Sequence, residues 1–213
     1  MLEIKLLISK FIIFPYFCRV MSRFIDIHTH RPRGLNRELR AEGRHPWKAD
    51  SDEEIFISKE AEAIGEIGLD YACSVNREKQ ERVFRQQLEE AQRRNIPVVL
   101  HCVKAFEPVM KILANYTLRA VIFHGFIGSA EQAQRALGKG YYLSFGDRCA
   151  KSPKTIKALQ VTPLDRIFVE PDESTVSIEQ IYHLIASLRG ISIEELTDTI
   201  EQNYNRIFRE NEQ

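Results

Sequence analysis

The sequence predicts an α/β fold, a contracted TIM-like (β/α) barrel of about seven parallel strands. Apolar strand segments without alternating polarity are followed by amphipathic helical segments, a pattern typical of parallel sheets buried on both faces. Most of these strand segments also end in a histidine or a carboxylate. A barrel gathers the carboxyl ends of all its strands at one mouth, whereas a doubly wound sheet gathers only those near its switch point.

The first half of the chain contains both kinds of element. The charged segment 31–40 predicts a loop. Ser51, with Glu54 three residues later, has the capping-box pattern of a helix start. In order, we predict a strand over 23–30, a possible short strand over 41–45, a helix over 51–61, a strand over 63–70 with Glu66 near its end, a helix over 76–95 and a strand over 96–101.

The second half repeats the alternation of strand and helix. Ser129 and Pro153 mark two helix starts, and Gly190 separates the last two helices. In order, we predict a helix over 106–116, a strand over 119–125, a helix over 129–140, a strand over 141–146, a helix over 152–160, a strand over 166–172, and helices over 177–189 and 192–209.

Composition limits the function classes. The chain has 213 residues, 44% of them hydrophobic, and its 30 basic and 30 acidic side chains cancel. A neutral chain lacks the broad basic field of a tight duplex binder, although it can bind a nucleic-acid end or a small phosphodiester locally. Four widely spaced cysteines without a CxxC motif indicate a reduced, intracellular protein. We predict a cytoplasmic location and neither a membrane nor a protein partner.

The first twenty residues are apolar and differ from the rest. Only eight uncharged residues lie between Lys10 and Arg19, and Pro15 interrupts them, so the stretch is too short to span a bilayer. A signal peptide is an alternative, but no small-x-small cleavage site follows. We predict that residues 1–20 are an extension outside the domain and that residues 21–213 form the functional domain.

Polar side chains follow the strand segments in a pattern that favours metal binding. Residues i and i+2 of a strand face the same side, so His28 and His30 both point into the mouth, where two imidazoles can chelate a divalent ion. Further candidate ligands end other strand segments: Glu66, His101, His124 and Asp172. A single such histidine is more often an ordinary core residue; the coincidence of six ligand-type residues predicts a site.

These residues lie in motifs that resemble those of the TatD-like metal-dependent hydrolases, a family of amidohydrolase-like barrels that includes TatD-related DNases. The resemblance extends from about residue 24 to residue 208. In chain order the matching motifs read "IDIHTH", "GRHPW", "AIGEIGLDY", "IPVVLHC", "IFHGFIGS", "GYYLSFG", "PLDRIFVEPDES" and "NYNRIF".

The resemblance implies a site with two divalent metal ions. His28, His30 and Asp172 would hold one ion, His101 and His124 the second, and Glu66 would bridge them. Imidazole and carboxylate ligands suit Zn²⁺, Mn²⁺ or Ni²⁺, and Mg²⁺ stays open because some relatives are described as magnesium-dependent. Asp172 and Glu66 are the implied catalytic residues, with Asp172 as general base.

The implied activity is phosphodiester hydrolysis, most often by a deoxyribonuclease of the exonuclease type. Acyl, ester or lactone hydrolysis, including deacylation of tRNA-linked amino acids, is an alternative, as is a metal-binding barrel that has lost catalysis. His45, Lys104 and Arg148 are candidate substrate-binding residues. Trp47 could stack a base or cover the core.

The sequence departs from the family pattern at the rim of the site. Only fourteen residues separate His30 from His45, which indicates that the second family strand is missing. Pro171 replaces the usual threonine of the last motif, and Lys104 stands where an acidic residue is common. The loop after the last strand is nearly absent. We therefore expect an intact metal site beneath a trimmed substrate surface.

Overall fold

The computed structural model describes residues 24–31, 34 and 36–209. The predicted extension over residues 1–20 lies outside the described residues, and the domain boundary at residue 21 stays a prediction. Within the described ranges, no helix is long and apolar enough to cross a membrane.

The described residues contain eight parallel strand segments in two sheets. The strands are β1 (Ile25–Asp26), β2 (Arg37–Glu38), β3 (Ala41–Glu42), β4 (Ala63–Asp70), β5 (Val98–Val103), β6 (Val121–Phe123), β7 (Tyr142–Phe145) and β8 (Ile167–Val169). β1 pairs with β2, and the other sheet has the order β3-β4-β5-β6-β7-β8. Every pairing is parallel, as strand segments without alternating polarity predict.

Backbone hydrogen bonds connect the two sheets at both ends. The run 37–42 pairs with β1 through its first residues and with β4 through its last, so it acts as one strand between them. At the other end, the amide of Asp172 donates to the carbonyl of His28, and the amide of His30 donates to the carbonyl of Asp172. The strands thus follow one another as β1, 37–42, β4, β5, β6, β7 and β8, a contracted TIM-like barrel of about seven strands.

Helices follow the strands in the order that the sequence predicts. They are α1 (Arg77–Arg94), α2 (Phe106–Leu113), α3 (Ala130–Leu137), α4 (Pro153–Val161), α5 (Ile178–Arg189) and α6 (Ile193–Phe208). Ser129 and Ser177 form capping boxes at the starts of α3 and α5. Gly190 ends α5 in the left-handed conformation that glycine adopts readily.

Three local predictions are wrong. The segment 51–61 is not a helix. Ser58 donates from its amide to Glu42, which diverts that amide from a helical hydrogen bond, and its hydroxyl donates to the same carboxylate. The segment 31–40, expected to be loop, contains β2, so the short strand expected over 41–45 lies instead over 37–42, between β1 and β4. Glu66 lies inside β4, which continues to Asp70, rather than near the end of its strand.

The core lies between the strands and the surrounding helices. β4 is buried at all eight positions, including its two carboxylates, Glu66 and Asp70. The outer helices complete the core, as α5 shows: the buried Tyr182 hydroxyl donates to the carbonyl of Ile25 and accepts from its amide. The first strand, which precedes His28 and His30, is therefore anchored to α5.

Candidate metal centre

The mouth of the barrel brings together the six residues that the sequence proposes as ligands. His28 and His30 follow β1, Glu66 lies in β4, His101 lies in β5, His124 follows β6 and Asp172 follows β8. All are buried or half-buried except His30. Parallel strands present their carboxyl ends at one mouth, which explains why ligands far apart in sequence converge.

Glu66 lies at the centre of the group. Its Oε1 atom lies 2.5 Å from Nδ1 of His101 and 2.6 Å from Nε2 of His124. Its Oε2 atom lies 3.2 Å from Nε2 of both His28 and His30. The two carboxylate oxygens therefore face two different pairs of histidines.

Asp172 completes the group on the side of the first histidine pair. Its Oδ1 atom lies 3.6 Å from Nε2 of His30 and 4.0 Å from Nε2 of His28. An isolated parallel bridge between Thr29 and Asp172 brings the carboxylate to these two rings. His28, His30 and Asp172 therefore meet only because the chain segments after the first and last strands pair.

His45 is a fifth histidine at the centre. Its Nε2 atom lies 3.3 Å from Oε1 of Glu66. Its Nδ1 atom accepts a hydrogen bond from the amide of Trp47 at 3.2 Å. A neutral imidazole that accepts at Nδ1 carries its proton on Nε2, so His45 presents a donor to the site rather than a free ligand atom.

Two buried carboxylates outside the proposed ligand set orient two of the histidines. Oδ2 of Asp70 lies 3.1 Å from Nε2 of His101, and Oε1 of the fully buried Glu170 lies 3.0 Å from Nδ1 of His124. Carboxylates that accept the second ring N–H of a histidine are typical of metal sites. Sequence reasoning missed both, although Asp70 lies four residues after Glu66 in β4, a spacing that places two strand residues on one face, and Glu170 directly follows β8.

The charges of these groups are strongly coupled. Burial would raise the pKa of Glu66, but its contacts with His101 and His124, and with the other histidines, hold that pKa well below its usual range. Burial would lower the pKa of His124, but Glu170 and Glu66 hold it well above its usual value. Burial and the nearby Glu170 raise the pKa of Asp172. The centre therefore combines an ionised Glu66 with a more basic Asp172.

The donor set fits a divalent cation. Within the described residues, four overlapping groups of histidines and carboxylates have ligand atoms within 4.8 Å of one another, and every proposed ligand belongs to at least one group. Oε2 of Glu66 is buried and makes no hydrogen bond to any described residue, although two imidazoles lie near it. A cation between these atoms would satisfy a carboxylate oxygen that costs free energy when left unpaired in the interior.

Two cavities open beside His124 on one side of the centre. One, of about 420 Å³, is lined partly by Lys104, Lys154 and Phe126. The other, of about 320 Å³, reaches Asp172 and is lined partly by Lys104 and Arg148. Lys104 is exposed, and Arg148 lies 3.7 Å from Oδ2 of Asp172. The structure thus places both of the cationic candidates for substrate binding at the mouth.

A cavity of about 400 Å³ opens on the other side of the centre. It is lined by His28, His30, His45 and Glu66, and by Phe56, which is 81% exposed. Glu42 also lines this cavity, and its carboxylate accepts two hydrogen bonds from Ser58. The centre is therefore open from two sides rather than enclosed.

Comparison with known families agrees with the motifs. The family model described as "TatD related DNase" matches residues 36–209. The solved structure of the TatD homolog YJJV from Escherichia coli K12 superposes with a TM-score of 0.74 at 20% identity, over 88% of this chain and 98% of that one. A TatD-family hydrolase from Entamoeba histolytica gives a TM-score of 0.60 at 18% identity, over 70% and 64% of the two chains. These likenesses concern the fold.

Curated relatives are longer than the region they share with this chain. An uncharacterized metal-dependent hydrolase, YabD, from Bacillus subtilis is 32% identical over 74% of this chain and 69% of its own length. The human deoxyribonuclease TATDN3 is 29% identical over 68% and 59%. The 3'-5' ssDNA/RNA exonuclease TatD of Escherichia coli K12 is 31% identical over 61% and 55%. The matches thus span 55% to 69% of the length of these relatives.

Proposed function

This chain belongs to the TatD-related DNase family, and we propose that it is a divalent-metal-dependent phosphodiesterase that acts on DNA ends or short oligonucleotides. The observation that carries the proposal is the position of Glu66, whose two oxygens face two separate pairs of histidines. The names of the deoxyribonuclease and exonuclease relatives support a nucleic-acid substrate.

Two ions are proposed, with a shared bridging carboxylate. His28, His30 and Asp172 would hold one, His101 and His124 the other, and Glu66 would contact both. Two divalent ions in such a site activate water and neutralise charge on the phosphoryl oxygens. Zn²⁺, Mn²⁺ and Ni²⁺ suit this histidine-rich set best, and Mg²⁺ is the further candidate.

The protein side chains have separate proposed roles. Asp172 would accept the proton of the attacking water, because its carboxylate lies at the mouth and burial makes it more basic than usual. His45 would donate from Nε2 to a phosphate oxygen. Lys104 and Arg148 would bind the flanking phosphate from the cavities beside His124.

The alternative is hydrolysis of an acyl, ester or lactone bond by the same centre. That reaction favours a closed and neutral pocket, whereas a phosphodiesterase needs an open site with a cationic rim. Openings on two sides and the positions of Lys104, Lys154 and Arg148 support the phosphodiesterase.

The test combines metal analysis with two kinds of substrate. We expect about two bound divalent ions per chain, hydrolysis of bis(p-nitrophenyl) phosphate, and release of mononucleotides from a single-stranded oligonucleotide. Asp172→Asn should abolish both activities, whereas Asp165→Asn, at the amino end of β8, should leave them unchanged. Turnover of aryl esters or lactones without phosphodiester cleavage would favour the alternative. Absence of bound metal after reconstitution would contradict the proposal.

A further inference from the structure

Trp47 lies at the rim of the metal centre and is held in place by two hydrogen bonds. Its indole Nε1 donates to Oδ2 of Asp70 at 2.6 Å, and its backbone amide donates to Nδ1 of His45 at 3.2 Å. A 3₁₀ turn over Pro46–Lys48 carries the residue. The ring is thus oriented by Asp70, the carboxylate that also contacts His101.

The Trp47 side chain is nevertheless 55% exposed. Its ring centroid lies 4.7 Å from that of His45 and 6.1 Å from that of His101. Because the indole N–H is already engaged by Asp70, what the ring offers to solvent is apolar surface. A large aromatic ring that is oriented but not buried contributes little to the core, which opposes the interpretation of Trp47 as a core cover.

We infer that Trp47 is a stacking platform for a base of the nucleic-acid substrate, next to the phosphodiester that is cleaved. The inference rests on the proposed function and adds the part of the substrate that the ring recognises. Every base has a π-face, so stacking on an aromatic ring is tolerant of sequence. Since Nε1–H is engaged by Asp70, the ring has no donor left to read base edges. Recognition here is therefore without sequence preference.

Stacking also determines which nucleic acid fits. Both faces of a base inside a duplex are covered by its neighbours, whereas the terminal base of a strand has a face to offer, most freely when that base is unpaired. The recognised element is therefore a strand end, with the terminal base on Trp47 and the flanking phosphate on the cationic side of the centre.

A purely positioning role for Trp47 makes a different prediction. In that case activity would depend on the indole N–H, because it holds Asp70, which in turn contacts His101. Activity would not depend on the face of the ring. Trp47→Phe keeps an aromatic face and removes the N–H, whereas Trp47→Ala removes both. The two variants therefore separate stacking from positioning.

Kinetics on two matched oligonucleotides test the inference. One is a normal single strand, and in the other the two nucleotides at the cleaved end are abasic. We expect Trp47→Ala to lower kcat/KM about 5- to 100-fold on the normal strand, mainly through KM, and to change it less than about 2-fold on the abasic strand. Trp47→Phe should stay close to the wild type on both. Equal losses for both variants on both substrates, or no loss for Trp47→Ala, would overturn the inference.

Fluorescence of the wild-type protein provides a test without any substitution. The chain has one tryptophan, so its emission reports on Trp47 alone. A phosphorothioate-linked single strand that resists hydrolysis should quench this emission on binding, and its abasic counterpart should bind without quenching. Binding of the normal strand without quenching would contradict the inference. Quenching without any hydrolysis of normal strands would instead contradict the proposed function, so the two failures are distinguishable.

Discussion

The floor of the centre and its rim are built differently. The floor consists of Glu66, the four proposed histidine ligands and Asp172, which parallel strands present at one mouth. The rim consists of Trp47, Phe56, Lys104 and Arg148, which lie in loops or short turns and are largely exposed. The comparison separates two requirements: the floor needs ligand atoms at defined distances, whereas the rim needs surface that a substrate can reach.

The supporting contacts differ in the same way. Behind the floor, Asp70 and Glu170 are buried carboxylates that orient His101 and His124. At the rim, the segment 51–62 has few buried side chains and is held by polar contacts such as those of Ser58 with Glu42. Changes in the floor should therefore abolish chemistry, and changes at the rim should alter substrate binding.

The largest effect is expected for Glu66→Gln, which removes the charge shared by the two histidine pairs and keeps the size of the side chain. We expect kcat to fall at least about 1,000-fold and the metal content to drop, because two-metal catalysis lowers the activation barrier by several kcal/mol. Glu90→Gln, in a surface pair with Arg93, is the matched control. Near-normal kcat in the Glu66 variant would break the distinction between floor and rim.

A smaller effect is expected behind the floor, for Glu170→Gln and Asp70→Asn. Each variant keeps the shape but weakens the acceptor for one histidine, so metal affinity should fall about 10- to 100-fold. The measurement is a competition titration with a metal-binding indicator. Unchanged affinity in both variants would show that the two carboxylates serve packing alone.

At the rim, Lys104→Met should raise KM for an oligonucleotide about 5-fold and leave kcat nearly unchanged. A single phosphate contact also contributes about one unit to the slope of log binding constant against log salt concentration. The magnitude of that slope should therefore decrease by about one in the variant. Lys111→Met, an exposed lysine on α2, is the control. A fall in kcat without a change in KM would place Lys104 functionally with the floor.

The smallest effect on activity is expected for Tyr182→Phe, behind β1. The variant loses the hydroxyl that donates to the carbonyl of Ile25 and accepts from its amide, both in the interior. We expect the free energy of unfolding to decrease by about 1–3 kcal/mol, with kcat unchanged at a temperature where the protein stays folded. Urea unfolding measures the free energy of unfolding, and a standard activity assay measures kcat. A large loss of kcat in the folded variant would show that the anchor of β1 also tunes the ligands.

Much of the floor was predictable from the sequence. The strand segments are mostly apolar without alternating polarity, the helix starts carry capping residues, and five of the six ligand-type residues stand at or near strand ends, with Glu66 inside β4. The barrel and its six candidate ligands therefore follow largely from local patterns. Strand alternation predicts that His28 and His30 point to the same side, and Nε2 of each ring lies 3.2 Å from Oε2 of Glu66. These features depend on neighbours along the chain, and the structure brings the six residues together.

The tertiary structure alone decided the rest. The segment 51–61 has a capping-box pattern, but contacts between Ser58 and Glu42 replace a helix there. Asp70 and Glu170 acquire their roles only where β4 and β8 bring them beside the rings of His101 and His124. Trp47 is oriented by Asp70, twenty-three residues away along the chain. In each case the deciding partner is distant in sequence, and no local pattern encodes a contact that exists only after the strands have paired.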